Sequence, residues 1–237
     1  MHVLRSTRLL LALAAITGAT SASAQVINGN FSSGLSFWTA VGDVGVRDGA
    51  AFLTTASAAF DDDNTTPGAF NYSGNEPVAS GDLELSLGLA PGALDPNPGA
   101  GNFAFEGSAL FQSVTLQAGE SVSFTYRFFT NDTAGFDRAF FVLDGTLTQL
   151  ALGPLTAPAS FSYSLETQVA TVVSAPVLTA GTYLLGFGVI DGNDFISTSA
   201  LQIDDVSAIP EPSTYAIMLG ALALGYVIAR RRGAARV

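Results

Sequence analysis

The chain has 237 residues, no cysteine, no lysine, a single histidine at position 2 and a formal net charge of −11. So acidic a surface repels phosphate backbones, and no nucleic-acid partner is expected. The missing cysteines rule out disulfide staples, and with no thiol and no imidazole beyond position 2, Ser-His-Asp and Cys-His catalysis and histidine zinc sites are ruled out.

Arg5 and Arg8, the apolar run from Leu9 to Ile16 and the small residues Ala22, Ser23 and Ala24 form a secretory signal peptide over residues 1–24. It predicts a signal helix, cut to leave Gln25 at the mature N-terminus. Residues 25–209 follow, 185 in all, enough for one domain with a sizeable core. They carry 19 acids against Arg47, Arg127 and Arg138, a net charge of −16. Such a surface suits divalent cations or solubility outside the cell.

Strands are predicted throughout this domain. In Ser121 to Thr130, Val122, Phe124, Tyr126 and Phe128 alternate with polar residues, the period of a strand with one buried face. Leu110 to Leu116 precedes it, and Ala118-Gly119-Glu120 makes the turn. Further strands are expected at Ala51 to Thr54, Leu83 to Leu87, Ala139 to Leu143, Phe161 to Leu165, Ala170 to Val173, Thr182 to Ile190 and Leu201 to Ser207. No strong amphipathic helix is expected inside the domain. Short strands with turn residues between them predict an all-β, antiparallel sandwich. Two long loops, 61–81 and 88–102, are expected to be functional or mobile.

The two ends of the domain carry a resemblance. Asn28-Gly29-Asn30-Phe31 with Gly34 and Trp38 stands at the start, Leu110 to Leu116 in the middle, and Leu201-Gln202-Ile203-Asp204-Asp205-Val206-Ser207 at the end. These segments resemble the jelly-roll carbohydrate-binding modules attached to polysaccharide-degrading enzymes. The resemblance implies a jelly-roll-like sandwich in which the opening motif pairs with the closing strand. It also implies a structural calcium held by Asp205 with Asn30 or its neighbouring backbone. Ser32 stands where that family often has an acid, which removes one ligand, and Asp204 with Asp205 also reads as a turn pair. Asp61-Asp62-Asp63-Asn64 begins like an EF-hand loop, but its sixth position is Thr66 and its twelfth Tyr72, so it reads as a solvated loop. Asp191-Gly192-Asn193-Asp194 reads as a tight turn.

For sugar binding the candidates are Phe70 and Tyr72, whose rings can stack on a pyranose or pin the first long loop to the sandwich. Trp38 reads as core, and Tyr126 and Tyr183 as packed. The glutamates show no Glu-x-Asp-x-x-Glu arrangement of the kind used by jelly-roll glucanases, so no enzymatic activity is expected.

The tail, 210–237, begins with Pro210, Glu211, Pro212 and Ser213, continues apolar through Ala229 and closes on Arg230, Arg231 and Arg232. The prolines keep their segment extended. The uncharged run of 17 residues from Ser213 to Ala229 can enter a bilayer as a transmembrane helix, at the low edge of the ~17–25 needed, with the arginines as its cytoplasmic stop. An ordinary single-span anchor would look the same but for the Pro-Glu-Pro. With it, the tail resembles the PEP-CTERM sorting signal. That resemblance implies export through the inner membrane, anchoring in lipid before processing, handling by an exosortase, and association with exopolysaccharide at the cell surface or in the extracellular matrix. Three functions stay open: a structural or adhesive matrix protein first, a carbohydrate-binding module second, a glycoside hydrolase third.

Overall fold

In the computed structural model of the chain, residues 25–59, 69–133, 135–159, 161–210 and 212–234 are described, with side chains of the last segment described over 217–228. The signal peptide, the Asp61–Asn64 run and Glu211 lie outside the described residues.

The strands in chain order are β1 (Thr39–Val41), β2 (Asp43–Arg47), β3 (Ala50–Thr54), β4 (Val78–Ala79), β5 (Ala104–Leu116), β6 (Ser121–Thr130), β7 (Arg138–Leu143), β8 (Thr146–Leu152), β9 (Ala157–Pro158), β10 (Leu165–Glu166), β11 (Ala170–Val173), β12 (Gly181–Gly192) and β13 (Ser199–Ile209). They form two sheets. The first runs β1-β5-β12-β7-β8 with β4 also on β5; the second runs β2-β3-β13-β6-β10-β9 with β11 also on β6. Every pairing is antiparallel. The expected sandwich is therefore present.

The main core lies between the sheets. The alternation in β6 sends Val122, Phe124 and Phe128 inward, against Leu53, Phe141, Phe187, Leu201 and Ile203. Trp38 joins them beside Phe31 and Phe187, with ring centroids 5.4 and 6.0 Å away, and its Nε1–H donates to the Asn28 carbonyl at 3.1 Å. Tyr126 packs on this core and donates its hydroxyl to the Leu150 carbonyl at 2.8 Å. The opening motif meets the closing strand directly. The Val206 amide donates to the Gly29 carbonyl at 2.9 Å, and a Cβ on Gly29 would stand 1.9 Å from the Val206 oxygen, so only glycine fits. Asn28 staples the turn: its Nδ2 donates to the Gly34 and Ser36 carbonyls, and its Oδ1 accepts the Ser33 amide.

Three expectations are corrected. Leu83 to Leu87 is not a strand but part of a helix, α1 (Ser80–Ser86). Leu83 and Leu87 are fully buried while Leu85 is 81 % exposed, so the period is four and not two. Phe161 to Leu165 is mostly loop. Only Leu165 joins a strand, because Phe161 and Tyr163 turn down onto the outer face of the second sheet. The loop 88–102, expected to be functional or mobile, is packed against the protein. It roofs the outer face of the first sheet with Leu94, pinned by Glu84 accepting the Gly92 and Leu94 amides at 2.9 Å each. Beneath it the Arg138 guanidinium donates to the Leu94 carbonyl.

The tail forms a helix, α2 (Pro212–Ala234). Its described side chains, Ile217 to Ile228, include exposed apolar residues all round the helix. Among the described residues no helix is long and apolar enough to cross a membrane. The expected transmembrane helix is therefore not found among the described residues.

Candidate functional site

Strand pleating gives the second sheet an outer face of its own. Register aligns Arg127, Gln202, Phe52 and Gly45 across β6, β13, β3 and β2, with Phe129, Ala200, Thr54 and Asp43 in the next outward row. One half of this face is aromatic. Phe52 and Phe129 pack with ring centroids 5.8 Å apart, and Phe161, Tyr163 and Phe70 cover them from the loops. The Arg47 guanidinium sits 3.8 Å above the Phe161 ring, 5.3 Å from Tyr72 and 5.5 Å from Phe52.

Tyr72 is placed on this face by a buried acid. Asp43 is wholly enclosed, and its carboxylate accepts the Tyr72 amide at 2.9 and 3.0 Å, the Ser73 amide at 2.6 Å and the Ser73 hydroxyl at 2.7 Å. The Thr54 hydroxyl donates to the same group. Asn71 donates to the Ala56 and Asn75 carbonyls and accepts the Gly74 amide, while Glu76 accepts the Ser57 hydroxyl and the Ala58 amide. This part of the loop is therefore built rather than loose. It sets the Tyr72 ring 4.9 Å from Phe52 and leaves the residue 41 % exposed. Burial raises the Tyr72 phenol above its ordinary pKa; Arg47 opposes, and Asp48 and Asp43 add to the rise. The hydroxyl is therefore a neutral donor at physiological pH.

The other half of the face is polar. A groove of about 190 Å³ is lined by Asp48, Thr125, Arg127, Gln202 and Asp204, with Val169 at its rim. Its volume is below the ~300–1,000 Å³ of sites that enclose a drug-sized ligand, and matches a single small ring. Arg47 pairs with Asp48 at 3.7 Å and so joins the groove to the aromatic half. Arg127 lies 3.8 Å from Glu166. Burial raises the Asp204 carboxyl, the Asp205 amide opposes, and the Asp205 charge adds to the rise. Donors, acceptors and an exposed tyrosine thus share one face of the sheet.

Of the sugar-stacking candidates, both Phe70 and Tyr72 reach this face. Phe70 is spent on Tyr163, with centroids 5.0 Å apart, and pins its loop; Tyr72 remains available. Asp43, Arg47, Arg127, Gln202 and Asp204 were not singled out as site residues in the sequence. Their one legible signal is the Asp48-Gly49 turn, which folds β2 back on β3 and fixes which of their residues face outward.

The calcium candidates do come together: Asn30 and Asp205 line a shallow hollow of about 420 Å³ with Gly29, Val206 and Ser207. Asp205 sits in a bulge of β13 with φ +53°, not at a strand end. Asn30 Oδ1 already accepts the Ser32 amide and hydroxyl, and Asp204 Oδ1 accepts the Asp205 amide. Among the described residues no three acid or histidine side chains gather as a metal would require. Calcium takes six to eight oxygens, so a site here would need backbone carbonyls and water beside Asp205 and Asn30.

A larger cleft, about 610 Å³, opens between β7–β8 and the segment after β11, but its walls are mainly Leu143, Val172, Val177 and Leu178. Its Tyr183 hydroxyl is spent on the Thr179 carbonyl at 2.5 Å. In the tail, Pro210 follows β13 and Pro212 opens α2; Ser213 and Arg230–Arg232 lie on that helix.

No protein-family model and no curated protein matches the chain. Among solved structures it is similar to a CBM4 protein, at 13 % identity and TM-score 0.35, over 76 % of this chain and 99 % of the other. It is similar to TmCBM61 in complex with beta-1,4-galactotriose, at 16 % identity and TM-score 0.32, over 78 % and 97 %. A third likeness is the K3 cleaved adhesin domain of Lys-gingipain (Kgp) from Porphyromonas gingivalis w83, at 12 % identity and TM-score 0.39, over 78 % and 98 %.

Proposed function

We propose that this is an exported, non-catalytic β-sandwich that binds a glycan on the outer face of its second sheet. The observation that carries this reading is the exposed Tyr72 ring, held on buried Asp43 beside a groove of Arg127, Gln202, Asp48 and Asp204. A sugar ring presents an apolar C–H face and a rim of hydroxyls. A rigid aromatic takes the first, and charged and amide groups take the second. An adhesive role in an exopolysaccharide matrix is what such a site does once the protein lies outside the cell.

The sequence supports that destination. The signal peptide directs export, and the Pro-Glu-Pro, apolar helix and arginine cluster fit an exosortase substrate held in lipid by α2 before processing. A helix apolar on all sides needs an apolar surrounding. The polysaccharide is the partner of the sandwich, and exosortase the partner of the tail.

The test is affinity electrophoresis and a glycan array with the wild type, Tyr72→Ala and Gln202→Ala. Retention by at least one polysaccharide, lost in both variants while the fold persists, is expected. Binding unchanged in both variants, or no binding to any polysaccharide, would sink the site. For the tail, the mature mass in cells with and without exosortase decides: loss of the C-terminal peptide only with the enzyme is expected.

A further inference from the structure

Buried acids tie the two sheets together at one end of the sandwich. Asp137 immediately precedes β7 and Asp191 lies near the end of β12, both in the first sheet, and each is 1 % exposed. Facing them from the second sheet are Thr55 after β3, Thr130 at the end of β6 and Ser199 at the start of β13, all buried. Asp137 Oδ2 lies 2.6 Å from the Ser199 hydroxyl, which lies 2.7 Å from that of Thr130. Asp137 Oδ1 accepts the Gly192 amide at 3.1 Å, one residue beyond Asp191. Asp191 takes a side-chain hydrogen bond from Thr55, and its Oδ1 is buried with no hydrogen-bond partner. Thr55 is itself laced to Ser199: its amide donates to the Ser199 carbonyl at 3.0 Å, and its hydroxyl oxygen accepts the Ser199 amide at 2.9 Å.

The charges around this pair are all of one sign. Asp132 and Asp194 act on Asp137; Asp137, Glu106 and Asp194 act on Asp191. The three arginines of the domain are engaged elsewhere. Arg47 lies on Asp48 and the aromatic rings, Arg127 beside Glu166, and Arg138 on the Leu94 carbonyl facing Asp95 and Glu84. Neighbouring Asp132 has three amides, of Gly135, Phe136 and Asp137, on one oxygen. Asp137 has one amide and one hydroxyl, and Asp191 leaves an oxygen unpaired. Two buried carboxylates with so few donors and no facing cation cannot both ionise at an acceptable cost.

We propose that Asp137 and Asp191 form a latch between the two sheets, closed while the pair is protonated and loosened as pH rises. Burial pushes the Asp137 carboxyl from 3.8 up to about 7; the Ser199 and Gly192 hydrogen bonds pull it down, and the charges of Asp132 and Asp194 add to the rise. Burial, then the Asp137 charge, raises Asp191 well above the ordinary range. Both groups bind protons more tightly in the folded chain than in the unfolded one. Their contribution is whole below the unfolded value of 3.8 and is lost as pH climbs through the folded value, about 7 for Asp137. Each proton held in excess by the folded state makes the unfolding constant rise roughly tenfold per pH unit across that window.

The test is thermal unfolding of the full-length chain from about pH 5 to about pH 8, for the wild type, Asp137→Asn and Asp191→Asn. Asparagine copies the shape of a neutral carboxyl. The melting temperature of the wild type should fall across this range, and either variant should flatten the slope. A wild-type slope of zero or opposite sign, or an equal slope in both variants, overturns the latch. If the variants fail to fold, the infrared C=O band of a protonated carboxylic acid in the native wild type at about pH 6 decides. Its presence supports the protonated pair, and its absence overturns it. Calcium at about pH 8 provides a further arm. No response supports the proton, whereas restoration of the melting temperature by calcium would show a cation where the proton is placed.

Discussion

Replacing Asp43 with alanine tests the link between the buried frame and the exposed ring. The change removes the acceptor for the Tyr72 and Ser73 amides and for the Ser73 and Thr54 hydroxyls. Hydrogen bonds to a charged group contribute roughly 1.5–3 kcal/mol each. The Tyr72 and Ser73 donors are only partly buried and regain water when the loop lifts, so the net loss is well below the sum. About 2–4 kcal/mol remains, chiefly from the buried Thr54 hydroxyl and the lost ordering of the loop. At about 2–4 °C per kcal/mol for a domain of this size, the melting temperature should drop by roughly 5–15 °C. Hydrogen exchange should show the Tyr72 and Ser73 amides opening, and glycan retention should vanish although no groove residue has changed. A stability within about 0.5 kcal/mol of wild type, with those amides still protected, would refute the reasoning. So would retained glycan affinity in a variant whose loop has opened.

Three further outcomes follow from the fold. Leu87→Ala should cost about 2–5 kcal/mol in denaturant unfolding, while Leu85→Ala on the opposite side of α1 should stay within about 0.5; equal effects would contradict the helix. Gly49 has φ +85° with open space around a Cβ, so Gly49→Ala should cost about 1–2 kcal/mol through backbone strain alone, and Gly49→Asn less. A chelator should leave the melting temperature at about pH 7 unchanged, because Asn30 Oδ1 already accepts from Ser32; a clear drop would place calcium in that hollow.

Much of the sandwich was legible because a strand with one buried face alternates. Ser121 to Thr130 and Ala170 to Val173 are strands over those same residues. Strands without strong alternation were missed. Thr146–Leu152 is half exposed along an edge, and Asp43–Arg47 is only five residues long. Both were available through another signal: Asp144-Gly145 and Asp48-Gly49 have φ +53°/+70° and +53°/+85°, the two-residue hairpin turn that Asp-Gly favours. Leu83 to Leu87 was misread because three leucines at alternate positions fit a strand until burial shows that the middle one faces solvent. Phe161 and Tyr163 alternate like strand residues, yet they cap Phe52 and Phe129, a role visible only once the second sheet exists to be capped.

The candidate site divides in the same way. Tyr72 was found as an aromatic in a long loop, a local property of composition. Asp43, Arg127 and Gln202 lie on three strands far apart in the chain, and only sheet register sets them on one face. The same holds for Asp137 and Asp191: Asp191 reads as a turn acid in the sequence, and burial against Thr55 and Ser199 makes the two a pair. The sequence by itself determined the strand class and placed the opening and closing motifs at the two ends of the domain. These depend on periodicity and short motifs, which are properties of neighbours in the chain. Tertiary structure alone decided which polar groups meet, which are dried and which ring stays exposed. Those outcomes depend on register and long-range packing, and no local stretch of residues encodes them.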